Sequence, residues 1–147
     1  MSKLIYVAGP LFNEAERLHD ERIAEECENL GFRTFLPHRD AGLETNRNSD
    51  EIYAADLHNL EQADFLVANL DGADVDAGTA WEIGYAVARG KTVIGLRTDR
   101  RCLEPWARVN LMIEKSSYIV TSFGELRSAL ATLGGNVGQR ARVAGSG

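Results

Sequence analysis

Cysteine, proline and long apolar runs are scarce in this chain of 147 residues, which contains two cysteines and three prolines. Cys27 and Cys102 lie far apart, with no Cys-x-x-Cys pair and no histidine at metal-ligand spacing. We therefore expect neither a disulfide framework nor a metal centre. The chain also has no signal peptide and no apolar run of 18 residues, which predicts a cytoplasmic protein without a membrane segment.

Positively charged residues are also fewer than negatively charged ones. Lysine and arginine number 16 against 22 aspartates and glutamates, for a net charge of −6 at pH 7. Two of the arginines, Arg140 and Arg142, lie in the last residues of the chain, so the rest is more acidic still. Such a surface repels phosphate backbones and anionic lipids. We therefore exclude nucleic acid and membranes as partners and expect a small neutral or cationic ligand.

Several phosphate-binding motifs are missing. The chain contains neither Gly-x-Gly-x-x-Gly nor a P-loop, which argues against a dinucleotide or P-loop site. A magnesium phosphoryl site of the response-regulator type needs an acidic pair after the first strand, where the chain reads Ala8-Gly-Pro-Leu-Phe-Asn13. It also needs a lysine after the fifth strand, where Ser122-Phe-Gly-Glu125 follows. The remaining candidate is a glycosyl-transfer site.

The pattern of apolar residues predicts alternating strands and helices. We predict strands at residues 4–8, 32–36, 64–70, 91–96 and 117–121, and helices at residues 13–30, 49–62, 79–89, 109–113 and 123–133. The polar residues 38–48 are predicted as a long loop. This alternation indicates an α/β domain with a parallel, flavodoxin-like (doubly wound) sheet of order 2-1-3-4-5 and helices on both faces. We expect residues 1–133 to form that domain and the glycine-rich residues 134–147 a flexible tail.

The segment from Asp74 to Tyr85 is the most informative part of the chain. It places Asp76 and Glu82 around a Gly-Thr turn that opens an apolar helix, directly after the strand predicted at residues 64–70. That position lies at the carboxyl edge of the sheet, where open α/β folds bind ligands. An ionised carboxylate there can act as a nucleophile toward a sugar carbon. The nearby Asp71 adds to a crowding of acids that favours a ligand site.

A structural explanation competes at each position. Thr79 and Glu82 fit a capping box, which would make Glu82 a helix-capping residue but would not explain Asp76. Asp56 lies beside the apolar face of the helix at residues 49–62, where burial would raise its pKa and make it an acid for a leaving base. The alternative for Asp56 is a solvated helix charge.

Four further residues have structural interpretations. Tyr6 lies in the first strand, where its ring faces either the core or the sheet edge. Asn110 is a candidate helix N-cap, Met112 a candidate core residue, and Trp81 a candidate packing residue.

Four segments occur together in this chain: Ile5-Tyr-Val-Ala-Gly-Pro-Leu-Phe12, Ala55-Asp-Leu57, Asp76-Ala-Gly-Thr-Ala-Trp-Glu-Ile-Gly-Tyr85 and Asn110-Leu-Met112. In this combination the chain, from residue 3 to about residue 131, resembles the nucleoside 2-deoxyribosyltransferase family. The Asp-x5-Glu segment with Asn-Leu-Met downstream is the more specific part of the resemblance.

The resemblance implies a role for each matching residue. Glu82 would attack C1′ of the deoxyribose and form a covalent glycosyl-enzyme. Asp56 would protonate the departing base and later deprotonate the incoming one. Tyr6 would orient Glu82 and disfavour a 2′-hydroxyl, and Asp76 would bind the sugar 5′-hydroxyl. Asn110 would reach the same hydroxyl from a neighbouring subunit, which implies a homo-oligomer.

Further expectations follow from the resemblance. Gly9 and Met112, within the matching segments, are expected substrate-binding residues. The implied activity is exchange of a deoxyribonucleoside with a free nucleobase, without a metal or cofactor and with hydrolysis as a side reaction.

The alternatives are a 2′-deoxynucleoside or 2′-deoxynucleoside 5′-monophosphate N-glycosidase, and a non-enzymatic nucleotide-sensing or scaffold domain. The scaffold alternative would leave the acidic cluster unexplained unless it bound a metal. The monophosphate enzymes carry small hydroxyl residues where this chain has Asp76 and Asn110. A carboxylate at Asp76 would repel a phosphate dianion by ~1–4 kcal/mol, which favours nucleosides over nucleotides.

Overall fold

The computed structural model describes residues 2–41, 48–102 and 104–135. In these ranges the strands are β1 Leu4–Ala8, β2 Arg33–Phe35, β3 Phe65–Asn69, β4 Thr92–Leu96 and β5 Tyr118–Val120. The helices are α1 Glu14–Asn29, α2 Pro37–Asp40, α3 Ser49–Gln62, α4 Ala77–Ala88, α5 Leu111–Ser116 and α6 Phe123–Gly135. None of these helices is long and apolar enough to cross a bilayer.

The five strands form one parallel sheet of order β2-β1-β3-β4-β5, which confirms the predicted flavodoxin-like fold. The interior strands β1 and β3 are covered on both faces, and so their sequences are apolar apart from Asn69 at the end of β3. Tyr6 and Ala8 face a core shared with α3, α4 and α5. Ile5 and Val7 face a second core shared with α1 and α6. Alternation along β1 therefore places Tyr6 on the same side of the sheet as α3 and α4.

Most element boundaries agree with the sequence. Asn13 caps α1 by accepting a hydrogen bond from the Glu16 backbone N–H at 2.8 Å, and Gly31, with a φ of 90°, follows the end of that helix. Asn48 caps α3 in the same way. The capping side chains of α1 and α3 thus stand directly before those helices in the sequence.

Several boundaries differ from the predictions. The predicted loop at residues 38–48 begins as the short helix α2, because Pro37 occupies its first turn, where a missing N–H costs nothing. Residues 42–47 of that loop lie outside the described residues. Helix α5 begins two residues later than expected. Helix α6 continues to Gly135, and the tail from residue 136 onward lies outside the described ranges and stays a prediction.

Candidate active site

The candidate site lies at the carboxyl ends of the neighbouring strands β1 and β3. The chain leaves β1 toward α1 on one face of the sheet, and it leaves β3 toward α4 on the other face. This divergence opens a crevice between the two connections, and doubly wound proteins bind their ligands in such crevices. The turn at Gly9 follows β1, and the turn from Asp71 to Asp76 follows β3.

Asp76, and not Thr79, is the N-cap of α4. Its Oδ2 accepts hydrogen bonds from the Thr79 backbone N–H at 2.9 Å and from the Thr79 hydroxyl at 3.1 Å. The helix consequently begins at Ala77, two residues before the predicted start. Glu82 then lies in the second turn rather than at the third helical position, and the capping-box explanation of Glu82 is wrong. Aspartate and threonine are comparable N-caps, which is why the sequence did not distinguish them.

Glu82 is a partly buried carboxyl group surrounded by other acids. Burial is the main cause that raises its pKa to about 7, and the charges of Asp56, Asp76 and Asp20 raise it further. The Tyr6 hydroxyl acts in the opposite direction, because a donor stabilises the ionised form. Glu82 can therefore gain or lose a proton near neutral pH.

Tyr6 is a core residue whose hydroxyl lies beside the candidate site. Its ring is fully buried and packs against Phe35 with the ring centroids 5.4 Å apart. Its hydroxyl is buried and finds no partner of ordinary hydrogen-bond geometry among the described residues. Burial, followed by the charges of Glu82 and Asp56, raises the Tyr6 pKa far above its usual range. The hydroxyl therefore keeps its proton and is a donor beside Glu82.

Asp56 is a half-buried acid on α3, not a solvated helix charge. Its Oδ1 atom is buried and has no hydrogen-bond partner within the ranges that the structure covers. Burial raises the Asp56 pKa to about 6. Its protonated form is thus accessible near neutral pH, as a general acid requires.

The remaining acids of the turn after β3 are structural. Asp71 accepts hydrogen bonds from the backbone N–H groups of Thr98 at 2.7 Å and Asp99 at 2.9 Å, which joins the turns after β3 and β4. Asp74 accepts from the next backbone N–H. The buried guanidinium of Arg97 donates to the carbonyls of this same turn. The crowding of acids that the sequence indicated is therefore partly explained by loop structure.

Asp20 and Asn69 belong to the site region and were missed in the sequence. Asp20 is 1% exposed, and its Oδ1 accepts a hydrogen bond from Asn69 Nδ2 at 2.8 Å. Burial raises the Asp20 pKa to about 7. A signal was present, because Asp20 precedes the buried residues Ile23 and Cys27 by three and seven positions and thus occupies a core position of α1.

Asn110 and Met112 are not at the Glu82 site within one chain. Asn110 caps α5 by accepting from the Met112 backbone N–H at 2.9 Å, as expected. Met112 is 76% exposed, so its assignment to the core is wrong. Both residues line a largely apolar cavity of about 490 Å³ between α4 and α5. The α4 residues of this cavity include Gly84 and Val87, which lie about 200° and about 140° around the helix from Glu82.

Two remaining observations complete the description. Trp81 is half exposed and stacks on Tyr85 with ring centroids 5.4 Å apart, so it packs on the surface rather than in the core. Within the described ranges, no group of three histidine, cysteine, aspartate or glutamate side chains is arranged to hold a metal ion.

Comparison with known proteins gives consistent results. A family model described as Nucleoside 2-deoxyribosyltransferase matches residues 5–129. The structure is similar to that of a conserved protein from Enterococcus faecalis V583, with 30% identity and a TM-score of 0.76, covering 90% of this chain and 99% of that one. It is also similar to a 2-deoxyribosyltransferase from Bacillus psychrosaccharolyticus, with 27% identity and a TM-score of 0.70, covering 86% and 95% of the two chains.

A third relative is named as a hydrolase. A putative 2′-deoxynucleoside 5′-phosphate N-hydrolase 1 from Thermofilum pendens is 26% identical over 133 residues, which cover 88% of this chain and 91% of the relative. The fold and these relatives define the class of protein as an enzyme that acts on the N-glycosidic bonds of nucleosides. More particularly, the chain belongs to the nucleoside 2-deoxyribosyltransferase family.

Proposed function

We propose that this protein transfers 2-deoxyribose between nucleobases through a covalent intermediate on Glu82, as a cytoplasmic enzyme of nucleoside salvage. The observation that carries the proposal is the grouping of three side chains on one face of the sheet. Glu82 titrates near neutral pH, Tyr6 remains a donor beside it, and Asp56 has a buried carboxyl oxygen without a partner. These are a nucleophile, a group that orients it and an acid.

The first half of the reaction breaks the bond between C1′ and the base. The ionised Glu82 carboxylate attacks C1′ while protonated Asp56 gives its proton to a basic ring atom of the departing base, such as N7 of a purine. A neutral base departs, and an ester joins Glu82 to the sugar. The transition state carries positive charge on the sugar, and the surrounding carboxylates stabilise that charge.

The second half reverses the roles. Asp56, now ionised, accepts a proton from an N–H of the incoming base, and the ring nitrogen that will carry the sugar attacks C1′ of the ester. Glu82 leaves as a carboxylate and Asp56 is again protonated. Dividing one difficult displacement into two easier ones is the advantage of a covalent intermediate.

The test is incubation of the purified protein with deoxyinosine, with and without adenine, followed by chromatography of the products. We expect deoxyadenosine only in the presence of adenine. A parallel reaction with cytosine as acceptor and deoxyuridine as donor covers pyrimidine specificity. Absence of any exchanged nucleoside from purine and pyrimidine donors alike would contradict the proposal.

Hydrolysis is the second candidate, and the relative from Thermofilum pendens favours it. The two activities share the glycosyl-enzyme and differ only in whether a base or water reaches the ester first. Release of hypoxanthine at a rate unaffected by adenine, with no deoxyadenosine formed, would assign the protein to the hydrolases.

Asp76→Ser is expected to improve the use of deoxynucleoside 5′-monophosphates relative to deoxynucleosides by about 10-fold or more, because it removes a repulsion of ~1–4 kcal/mol between carboxylate and phosphate. Serine also caps helices, so α4 should remain folded. The measurement is the ratio of kcat/KM for the two substrates. Asp74→Ser, a matched change at an exposed aspartate two residues away, should leave the ratio unchanged. An unchanged ratio in both variants would mean that Asp76 does not face the 5′ group.

Asn110 is proposed to serve the active site of a neighbouring subunit in a homo-oligomer. The support is its position across α4 from Glu82 in the same chain, together with the exposed Met112 beside it. A second copy packed over the α4–α5 cavity would cover this apolar surface.

Asn110→Ala is expected to lower kcat/KM by 10-fold or more, mainly through weaker substrate binding, because one hydrogen bond to the sugar is lost. The decisive measurement is complementation with Glu82→Gln. Mixed oligomers of the two variants should regain activity, because some sites then combine an intact Glu82 with an intact Asn110. Mixtures as inactive as the separate variants, or a fully active monomer, would contradict a shared site.

A further inference from the structure

Asp20 is a buried carboxyl group that the proposed reaction leaves unexplained. It is 1% exposed, yet no lysine, arginine or histidine in the described part of the chain forms an ion pair with it. Its position on α1 faces a core that a leucine or valine would fill without the cost of desolvating an acid. A buried acid without a counter-charge therefore calls for an explanation other than packing.

The contacts of Asp20 reach both turns of the candidate site. A Cβ atom on Gly9 would lie 2.3 Å from Asp20 Oδ1 and 2.8 Å from its Cγ, so the Gly9 backbone packs directly on the carboxyl group. On the other side, Asn69 Nδ2 donates to Oδ1 at 2.8 Å. The Asn69 side-chain oxygen in turn accepts from the Asp71 backbone N–H at 3.0 Å. Asp20 thus connects α1 to the turns after β1 and β3.

The charge of Asp20 also acts on Glu82, the proposed nucleophile. Asp20 is among the groups that raise the pKa of Glu82. The groups that face Asp20 are Asn69 at the end of β3, Asp76 at the start of α4, and Glu16 and Glu21 on its own helix. Glu82 in turn is faced by Tyr6, Asp56, Asp76 and Asp20. Every charged group in both sets is an acid, so ionisation of Asp20 makes ionisation of Glu82 harder.

We propose that Asp20 is a positioning residue for the reaction of Glu82: its buried carboxyl group holds the Gly9 turn and the end of β3 in place, and its charge is coupled to that of the nucleophile. Glycine is required at position 9 because the carboxyl group occupies the space of a side chain there. The inference rests on the proposed role of Glu82, but the coupling itself is a property of the protein without substrate.

The first test measures that coupling directly. The titration of the Glu82 carboxyl carbon is followed by ¹³C NMR, with the resonance assigned by its loss in Glu82→Gln. We expect a two-step titration in the wild-type protein, because coupled acids share their proton losses. In Asp20→Asn, Glu82 should titrate at a lower pH, since a neighbouring negative charge has been removed. Glu25→Gln, an exposed change of the same charge on the same helix, should leave the titration unchanged.

The enzymatic readout is the position of the pH optimum. We expect the optimum of kcat/KM to move to lower pH in Asp20→Asn but not in Glu25→Gln. The inference is overturned if the wild-type protein is active and Asp20→Asn has the same pH optimum and the same Glu82 titration as the wild type. A wild-type protein without glycosyl chemistry but with a shifted Glu82 titration in Asp20→Asn would instead overturn the proposed function and leave the coupling standing.

The contact with Gly9 has its own test. Gly9→Ala should lower the Tm, because its new Cβ collides with the Asp20 carboxyl group. Combining it with Asp20→Ala should recover part of that loss, since the colliding atoms are gone. Strictly additive losses would show that Gly9 and Asp20 do not constrain each other. If Asp20→Asn fails to fold, the Asp20 carboxyl carbon is followed by ¹³C NMR in the wild-type protein and in Glu82→Gln instead, because coupling between two acids is reciprocal. An Asp20 titration that is the same in both proteins overturns the coupling.

Discussion

Glu82→Gln is expected to lose turnover by about 10⁴-fold or more while the folded protein becomes more stable above pH 7. The loss follows because the amide cannot form the glycosyl ester, and removal of a covalent nucleophile leaves only substrate binding and the remaining charges to act. The measurement is single-turnover formation of free base, which reports the first half of the reaction without the second.

The gain in stability follows from the sign of the pKa shift. The Glu82 pKa is raised from 4.5 to about 7 in the folded protein, so folding favours the protonated form. The unfolded chain loses this proton at lower pH than the folded one, and the folded state is therefore penalised increasingly between pH 4.5 and 7. Above pH 7 the penalty is complete and amounts to at most about 3 kcal/mol. A neutral glutamine does not incur it.

Asp76→Ala provides the contrasting variant. It removes the N-cap of α4 and should lower the free energy of unfolding by about 1 kcal/mol. If Glu82 were the capping residue, Glu82→Ala would lower the melting temperature and Asp76→Ala would not; glutamine at position 82 would still complete a capping box. A Glu82→Gln protein with retained turnover would contradict the proposed nucleophile.

The central sheet was predictable because its interior strands β1 and β3 are buried on both faces. Residues 4–8 and 65–68 are continuous apolar runs, and the alternation with helical segments permits few topologies. The start of α4 was not predictable, because Asp76 and Thr79 can each cap a helix and the choice depends on how the turn after β3 lies against β4. Asp71 fixes that turn through contacts with residues 98 and 99, which no local pattern reveals.

The candidate site was predictable in part for a similar reason. Glu82, Asp76, Asp56 and Tyr6 stand in segments whose strand or helix assignment places them at the sheet edge. Asp20 lies on a helix whose polar residues face solvent for the most part, and only its spacing from Ile23 marks it as buried. Its partner Asn69 is 49 positions away, a separation that periodicity within one helix cannot bridge.

Asp56→Asn is expected to lower kcat for ordinary deoxynucleosides by about 10²–10⁴-fold, because the departing base loses its proton donor. Asparagine has nearly the same shape as aspartate, and it places either its amide oxygen or its amide nitrogen at the buried position of Oδ1. Asp50→Asn, an exposed aspartate on the same helix, is the matched control and should retain full activity.

A substrate that needs no acid separates this role of Asp56 from a structural one. A deoxynucleoside of an N7-methylated purine already carries the positive charge that protonation would supply, so its base departs without help. Asp56→Asn should cleave this substrate at nearly the wild-type rate. An equal loss on both substrates would indicate that Asp56 shapes the site without transferring a proton.

The pH dependence of kcat/KM is a second test of Asp56 as the proton donor. The reaction requires ionised Glu82 together with protonated Asp56, and the pKa values of these groups are about 7 and about 6. That combination is one of the two states in which the pair holds a single proton. These states are most populated between the two pKa values, so a plot of the wild-type kcat/KM against pH should be bell-shaped, with its maximum between pH 6 and 7. With Asp56→Asn and the methylated substrate, the fall on the alkaline side should disappear, because the group that must hold a proton has been removed. An unchanged alkaline limb would assign that proton to another residue.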